Sequence, residues 1–198
     1  QGGVQKQGYQ GGEAPWESLE ALEAEAPEGG VAWLHINASQ PGAVEALERL
    51  SLDALTLSTL LTSEARPRCA VHAQRVTLNL RGVNLNPQSE PEDMISLRMF
   101  ATSRLLITLQ GRPLKAISEL SETLQEEDAI PVEGVMDLIA RVAHTLTARA
   151  EPVVTDLTER VDELEERLLG LSQRRGVRGE GGRSALAQLR STAIILRR

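Results

Sequence analysis

The side chains able to do chemistry are three histidines, one cysteine and a surplus of carboxylates, 28 Asp and Glu against 21 Lys and Arg. Glu92-Asp93 and the run Glu126-Glu127-Asp128 set carboxylates side by side, the oxygen donors that suit a hard divalent cation. These five residues are the candidate metal ligands. The same spacing fits solvated acidic faces, which become metal sites chiefly when several carboxylates converge. Cys69 and His72 form a C-x-x-H, but on a strand residues three apart point to opposite faces. The expectation there is a buried small thiol and an edge-facing imidazole. His35, in WLHIN, reads as a satisfied structural histidine, and His144 as solvated on a helix face away from the apolar stripe.

No catalytic constellation accompanies them. G-x-S-x-G, G-x-x-x-x-G-K-[ST], H-E-x-x-H and G-x-G-x-x-G are all absent, so no catalytic residue is assigned and an enzyme is not expected. Catalysis by Glu92-Asp93 would need a pocket with a carboxylate of raised pKa, which a sequence cannot display. Nor is a cofactor required for folding: 198 residues suffice for a core that buries roughly 70% of the unfolded chain's surface. Cys69 stands alone, which excludes an intramolecular disulfide framework and points to a reducing compartment.

The elements that must position these groups fall into two regimes. Up to about residue 112 short strands mix with short helices. Val31–Asn37 reads as a strand between Gly29-Gly30 and Asn37–Gly42. Ala43–Leu50 and Asp53–Leu61 have helical spacing, with Ser39 and Ser51 as expected caps. Arg68–Ala73, Arg75–Val83, Met94–Ala101 and Arg104–Gln110 follow as four strands with short links, an antiparallel meander. With only four aromatic residues (Tyr9, Trp16, Trp33 and Phe100), the core must be aliphatic. Residues 1–30 are poorly defined, and QGGVQKQGYQ is a weak strand candidate.

After Pro113 the pattern is helical. Leu114, Ile117, Leu120 and Leu124 make one stripe, and Val135, Leu138, Ile139, Val142 and Leu146 another. Val154, Leu157, Val161, Leu164, Leu168 and Leu171 recur at heptad spacing, flanked by acids; Pro152 begins this helix or kinks a longer one. Beyond Gly176–Gly182 the spacing resumes at Leu186, Leu189, Ala193 and Leu196, which reads as an antiparallel long-helix hairpin. The expected organisation is residues 1–112 as a sheet domain and 113–198 as a helical part.

Charge is polarised along the chain. Ile117–Asp137 holds seven acids and no base, whereas the stretch from Leu171 onward holds seven Arg and one Glu. An Arg-rich return helix paired with the acidic helix before it accounts for the basic end. Nucleic acid is not the expected partner, since that end has no aromatic for base stacking and no recognised motif. No apolar run approaches the roughly 18 residues of a membrane helix, and the N-terminus lacks the basic and apolar regions of a signal peptide.

From Arg66 to Leu109 the order of motifs is Arg66-Pro67-Arg68, Leu80–Asn86 (LRGVNLN), Pro91–Arg98 (PEDMISLR) and Leu105–Leu109 (LLITL). With WLHIN upstream, and PVVTDLTERVDELEERLL and ALAQLRSTAIILRR downstream, this resembles the cytoplasmic N-terminal domain of the CorA metal-ion transporter superfamily, within it the ZntB-type zinc transporters. The resemblance implies an α/β fold, a layered α/β/α domain with a mixed, largely antiparallel sheet, followed by helices leading toward a membrane. It implies homopentameric assembly at the cytoplasmic face of a bacterial inner membrane. The transported ion would be a divalent cation, zinc first, then Mg, Co or Ni. Magnesium-type members carry an acidic pair just upstream of the Arg-Pro element. Here Ser58-Thr59 stands at that place, which favours the zinc-type branch. The family's further stalk helix, transmembrane helices and Gly-Met-Asn signature are expected beyond Arg198, the final helical pattern having no stop signal. The rival reading is a soluble coiled-coil interaction module docking through Val154–Leu171.

Overall fold

The computed structural model describes residues 4–9, 16–62, 66–89 and 93–173. The elements in chain order are β1 (Val4–Tyr9), α1 (Leu19–Ala24), β2 (Val31–Asn37), α2 (Ala43–Glu48), α3 (Ala54–Leu61), β3 (Arg68–His72), β4 (Arg75–Val83), β5 (Met94–Ala101), β6 (Leu105–Gln110), α4 (Lys115–Thr123) and α5 (Val135–Gln173). The strands form one six-stranded sheet in the order β1-β2-β6-β5-β4-β3. β1 and β6 flank β2 in parallel, and β6-β5-β4-β3 is the antiparallel meander that the short links predict.

Strand alternation divides the core into two layers. On one face Leu34, Ile36, Phe100, Leu105, Ile107 and Leu109 pack with α1, α2 and α3 residues such as Leu22, Leu47 and Leu60. On the other, Val31, Trp33, Leu97, Met99 and Leu106 pack with Ile117 and Leu120 of α4 and with Leu138, Val142 and Leu146 of α5. A sheet covered on both faces makes its central strands apolar throughout, which is why VAWLHI and LLITL lack polar alternation. The result is a layered α/β/α domain with a mixed, largely antiparallel sheet.

Several local expectations are corrected. β1 does form, in register with Val31–Ile36; an edge strand bonds to one neighbour through its backbone and tolerates a polar sequence. α1 is also present, capped by Ser18 Oγ accepting from the Ala21 amide at 3.1 Å. Neither Ser39 nor Ser51 caps a helix. Ser39 bonds Asn37 Oδ1 instead, α2 starts from Gly42 at φ 81°, and Asp53 caps α3 by accepting from the Thr56 amide at 2.9 Å. Asp53 has the acceptor directly ahead of the first helical residue, where the N3 amide can reach it. Cys69 is exposed rather than buried, because every residue of edge strand β3 is exposed.

α5 is a single helix of 39 residues with Pro152 inside it, about 58 Å long at 1.5 Å per residue. Its first turns cover the sheet. Farther along, Val154 and Val161 of the heptad seam are exposed while Leu157 is buried. The glycine-rich link and the Arg-rich return helix lie outside the described residues.

Candidate functional site at the junction of sheet and long helix

The strand–loop–strand LRGVNLN to PEDMISLR is built as a clamp between the sheet and the helices. Asn84 and Asn86 leave β4 in a turn in which the Asn86 amide donates to Asn84 Oδ1 at 3.1 Å, the backbone-mimicking bond typical of Asn in turns. Asn86 Nδ2 also donates to the Pro113 carbonyl at 2.9 Å, tying the loop to the entrance of α4. Asp93 closes the same loop: its carboxylate accepts from Arg112 Nη1 at 2.6 Å, Arg112 Nη2 at 2.8 Å and Asn84 Nδ2 at 2.7 Å. Bonds from the Arg112 fork hold the Asp93 carboxyl below its ordinary 3.8, assisted by Asn84. The candidate ligand Asp93 is therefore engaged on both oxygens by a fork-to-fork pair. Its neighbour Glu92 lies outside the described residues.

This pair has a testable pH signature. A depressed folded-state pKa stabilises above the unfolded value, near 3.9, and the contribution disappears as pH falls through the folded value. Both side chains are a third or more exposed, so the contribution is under about 1 kcal/mol. Asp93→Asn should lower stability by that amount at pH 7, with the gap starting to close at about pH 4 and vanishing as pH falls through the lowered folded value. Urea titrations across that range measure it; a gap that persisted at low pH would mean the carboxylate charge is not what matters.

α5 is fixed at its start by Arg141, whose Nη1 and Nη2 donate to the Ile130 and Pro131 carbonyls at 2.8 Å each and whose guanidinium pairs with Asp137 at 3.0 Å. The bond from Arg141 holds the Asp137 carboxyl below its ordinary value, with the Glu133 amide contributing. Farther along, Arg149 pairs with Glu119 of α4 at 2.6 Å. A groove of about 400 Å3 separates the Asn84–Ser89 loop from Arg149, Pro152, Val153 and Asp156 of α5. Pro152 removes one helix bond where α5 passes this loop, marking the junction.

Two of the seven acids of Ile117–Asp137 are thus neutralised by arginines of α5. Glu122, Glu126, Glu127, Asp128 and Glu133 are exposed and form no ion pair with any described residue. Among the described residues no three of His, Cys, Asp and Glu converge as a metal-holding group; the candidates Glu126, Glu127 and Asp128 are all exposed. His35 is a structural histidine, its Nδ1 2.8 Å from Thr108 Oγ1, and His144 is exposed. Sequence reasoning assigned no role to Arg98. Buried at 5% exposure, it reaches from β5 to donate from Nη1 to the Thr62 carbonyl at 2.6 Å, satisfying the C-terminus of α3 where a cation suits the helix dipole. Burial lowers its pKa. Only its position in PEDMISLR hinted at it.

The family model described as CorA-like Mg2+ transporter protein matches residues 28–198. The divalent cation transporter CmaX of Pseudomonas aeruginosa is 37% identical over 136 residues, 68% of this chain and 40% of its own length. The zinc transport protein ZntB of Pectobacterium carotovorum subsp. carotovorum is 30% identical over 189 residues, 95% of this chain and 54% of its own length. The chain thus spans about half the length of the relatives it matches. Among solved structures, full-length CmaX superposes with a TM-score of 0.70 at 35% identity, over 84% of this chain and 49% of that one. The ZntB cytoplasmic domain of Vibrio parahaemolyticus gives a TM-score of 0.66 at 23% identity, over 84% and 63%, a likeness of fold. No described helix is long and apolar enough to cross a membrane. Motif order, layered architecture and these matches agree: the chain belongs to the CorA-like Mg2+ transporter family of divalent-cation transporters.

Proposed function

We propose that this chain is the cytoplasmic domain of a homopentameric divalent-cation transporter of the zinc type, at the cytoplasmic face of a bacterial inner membrane. Residues 1–112 form its sheet-bearing part, and residues 113–198 the helical part leading to the stalk. The observation that carries the reading is the exposed, unpaired carboxylate surface from Glu122 to Glu133, with further exposed carboxylates at Glu159, Asp162 and Glu166 on α5. Such a surface raises local cation concentration without ligating any one ion. α5, held to its preceding link by Arg141 and to α4 by the Glu119–Arg149 pair, then carries displacements of the domain toward the pore. The relatives named as zinc transport proteins and the absence of acids at Ser58-Thr59 support zinc over magnesium.

Reconstitution of the full-length protein in liposomes tests this directly: zinc uptake is expected, and failure to move any divalent cation overturns it. In the same assay Glu126→Gln/Glu127→Gln/Asp128→Asn should slow uptake roughly threefold at low ionic strength. The effect should vanish near 1 M salt, where the screening length falls to about 3 Å. Calorimetric titration of the chain with zinc and magnesium separates attraction from ligation. Stoichiometric binding lost in the triple variant would make Glu126, Glu127 and Asp128 a true site; loss in Asp93→Asn would place it at Glu92-Asp93.

A further inference from the structure

The sheet ends at β3, whose five residues are all exposed, Val71 at 71%. β3 and β4 are joined by Ala73-Gln74, both at positive φ, 45° and 63°, as the tight two-residue hairpin turn requires. The residues flanking such a turn are a hydrogen-bonded pair, so His72/Arg75, Ala70/Thr77 and Arg68/Asn79 exchange bonds across the hairpin. Cys69 and Val71, lying between them, direct their N–H and C=O groups outward. Pro67 has no N–H to offer and ends this row.

The same alternation turns Arg68 and His72 of β3, with Arg75 of β4, toward α3, where they line a cleft of about 710 Å3. Neither the Arg68 nor the Arg75 side chain forms a hydrogen bond or ion pair with any described residue, and Arg75 acts on the Glu20 carboxyl through space. Among the described lining residues the one carboxylate, Asp53, is turned to its own helix, accepting from Thr56 N at 2.9 Å and Thr56 Oγ1 at 2.7 Å. Among the described residues the edge therefore offers two free backbone positions beside basic side chains that form no ion pair.

We propose that β3 takes an extended acidic peptide as an added strand. Its backbone would bond Cys69 and Val71, the mode by which sheet edges capture extended segments. Acidic residues at i and i+4, about 13 Å apart along the strand, would lie over Arg68 and over the His72–Arg75 pair. Residues i+1 and i+3 would be apolar, beside exposed Val71. A second copy is the poorer occupant, because antiparallel β3–β3 pairing would oppose two basic faces. The proposal is independent of the transport reading.

Fluorescence anisotropy of the 198-residue chain with a labelled peptide of core Glu-Val-Ala-Val-Glu tests it, against a Lys-Val-Ala-Val-Lys peptide and a scramble of the acidic one. The acidic alternating peptide should bind at least about tenfold more tightly than either, a difference of about 1.4 kcal/mol, and should slow amide exchange at Cys69 and Val71. Val71→Pro, which removes an outward N–H, should weaken binding by a similar factor. Arg68→Glu/Arg75→Glu should reverse the preference toward the lysine peptide, which keeps the test meaningful if Val71→Pro folds poorly. Absence of binding, equal binding of the scramble, or unchanged exchange at Cys69 and Val71 would overturn the proposal. So would self-association of the chain that Val71→Pro abolishes, since the edge would then belong to a second copy.

Discussion

Trp33→Ala should destabilise the domain by about 3–5 kcal/mol, the usual range for emptying a large aromatic site in a core. Trp33 is 1% exposed, in central strand β2 on the face covered by α4 and α5. Its indole Nε1 donates to Thr108 Oγ1 at 2.9 Å, and that hydroxyl lies 2.8 Å from His35 Nδ1 across the β2–β6 register. The substitution thus removes apolar volume and a partner of a buried hydroxyl together. At about 2–4 °C per kcal/mol for a chain of this size, the melting temperature should fall by roughly 6–20 °C. His144→Ala, at an exposed position, should stay within about 0.5 kcal/mol of the parent. A Trp33→Ala loss below about 1 kcal/mol would contradict the buried, hydrogen-bonded placement of the ring.

The second large effect is expected at Gly82, where α5 crosses β4. A Cβ there would lie 2.7 Å from Leu146 Cδ2 and 2.9 Å from Leu114 Cδ2. The glycine leaves room for this close approach of helix to sheet. Alanine meets only the tips of two leucines, which can turn aside. Valine adds two branched methyls on a stiff χ1, so Gly82→Val should cost about 1–3 kcal/mol by overpacking. The loss should concentrate in α5, read as faster amide exchange over residues 135–150 while β2 and β6 stay protected. Leu146→Ala in the same chain should recover part of it, a coupling expected of contacting residues. Uniform loosening of the whole sheet would instead place Gly82 outside the helix–sheet contact.

Most of the meander was legible because each strand is bounded by turn residues and links to the next within a few positions. β4 and β5 have the bounds that the sequence predicts, Arg75–Val83 and Met94–Ala101. The α4 stripe was equally legible: Leu114, Ile117 and Leu120 are all buried. β1 was harder to read, since a polar edge strand leaves no periodic signature. α1 had a signal in Ser18 followed by Leu19 and Leu22 at helical spacing, too short to stand out. Ser39 and Ser51 misled because several polar residues precede each helix, and backbone geometry rather than residue type selects the one that caps.

At the site the same division holds. The order LRGVNLN, PEDMISLR, LLITL was enough to indicate the family, and the acid-rich stretch enough to indicate where negative charge accumulates. That Asp93 is occupied by Arg112, 19 residues away, is a fact of the tertiary fold: the pair exists only because the β4–β5 loop and the β6–α4 link meet at one end of the sheet. Arg98 reaching Thr62 across 36 residues is of the same kind. Most strands and helices, and the places where charge accumulates, are legible in the chain alone, because these follow from local periodicity and composition. Folding sets which carboxylates are neutralised, which stay open to solvent and, among the described residues, that β3 stands at the edge of the sheet. Those properties depend on what lies across from each side chain, and chain separation carries no record of it.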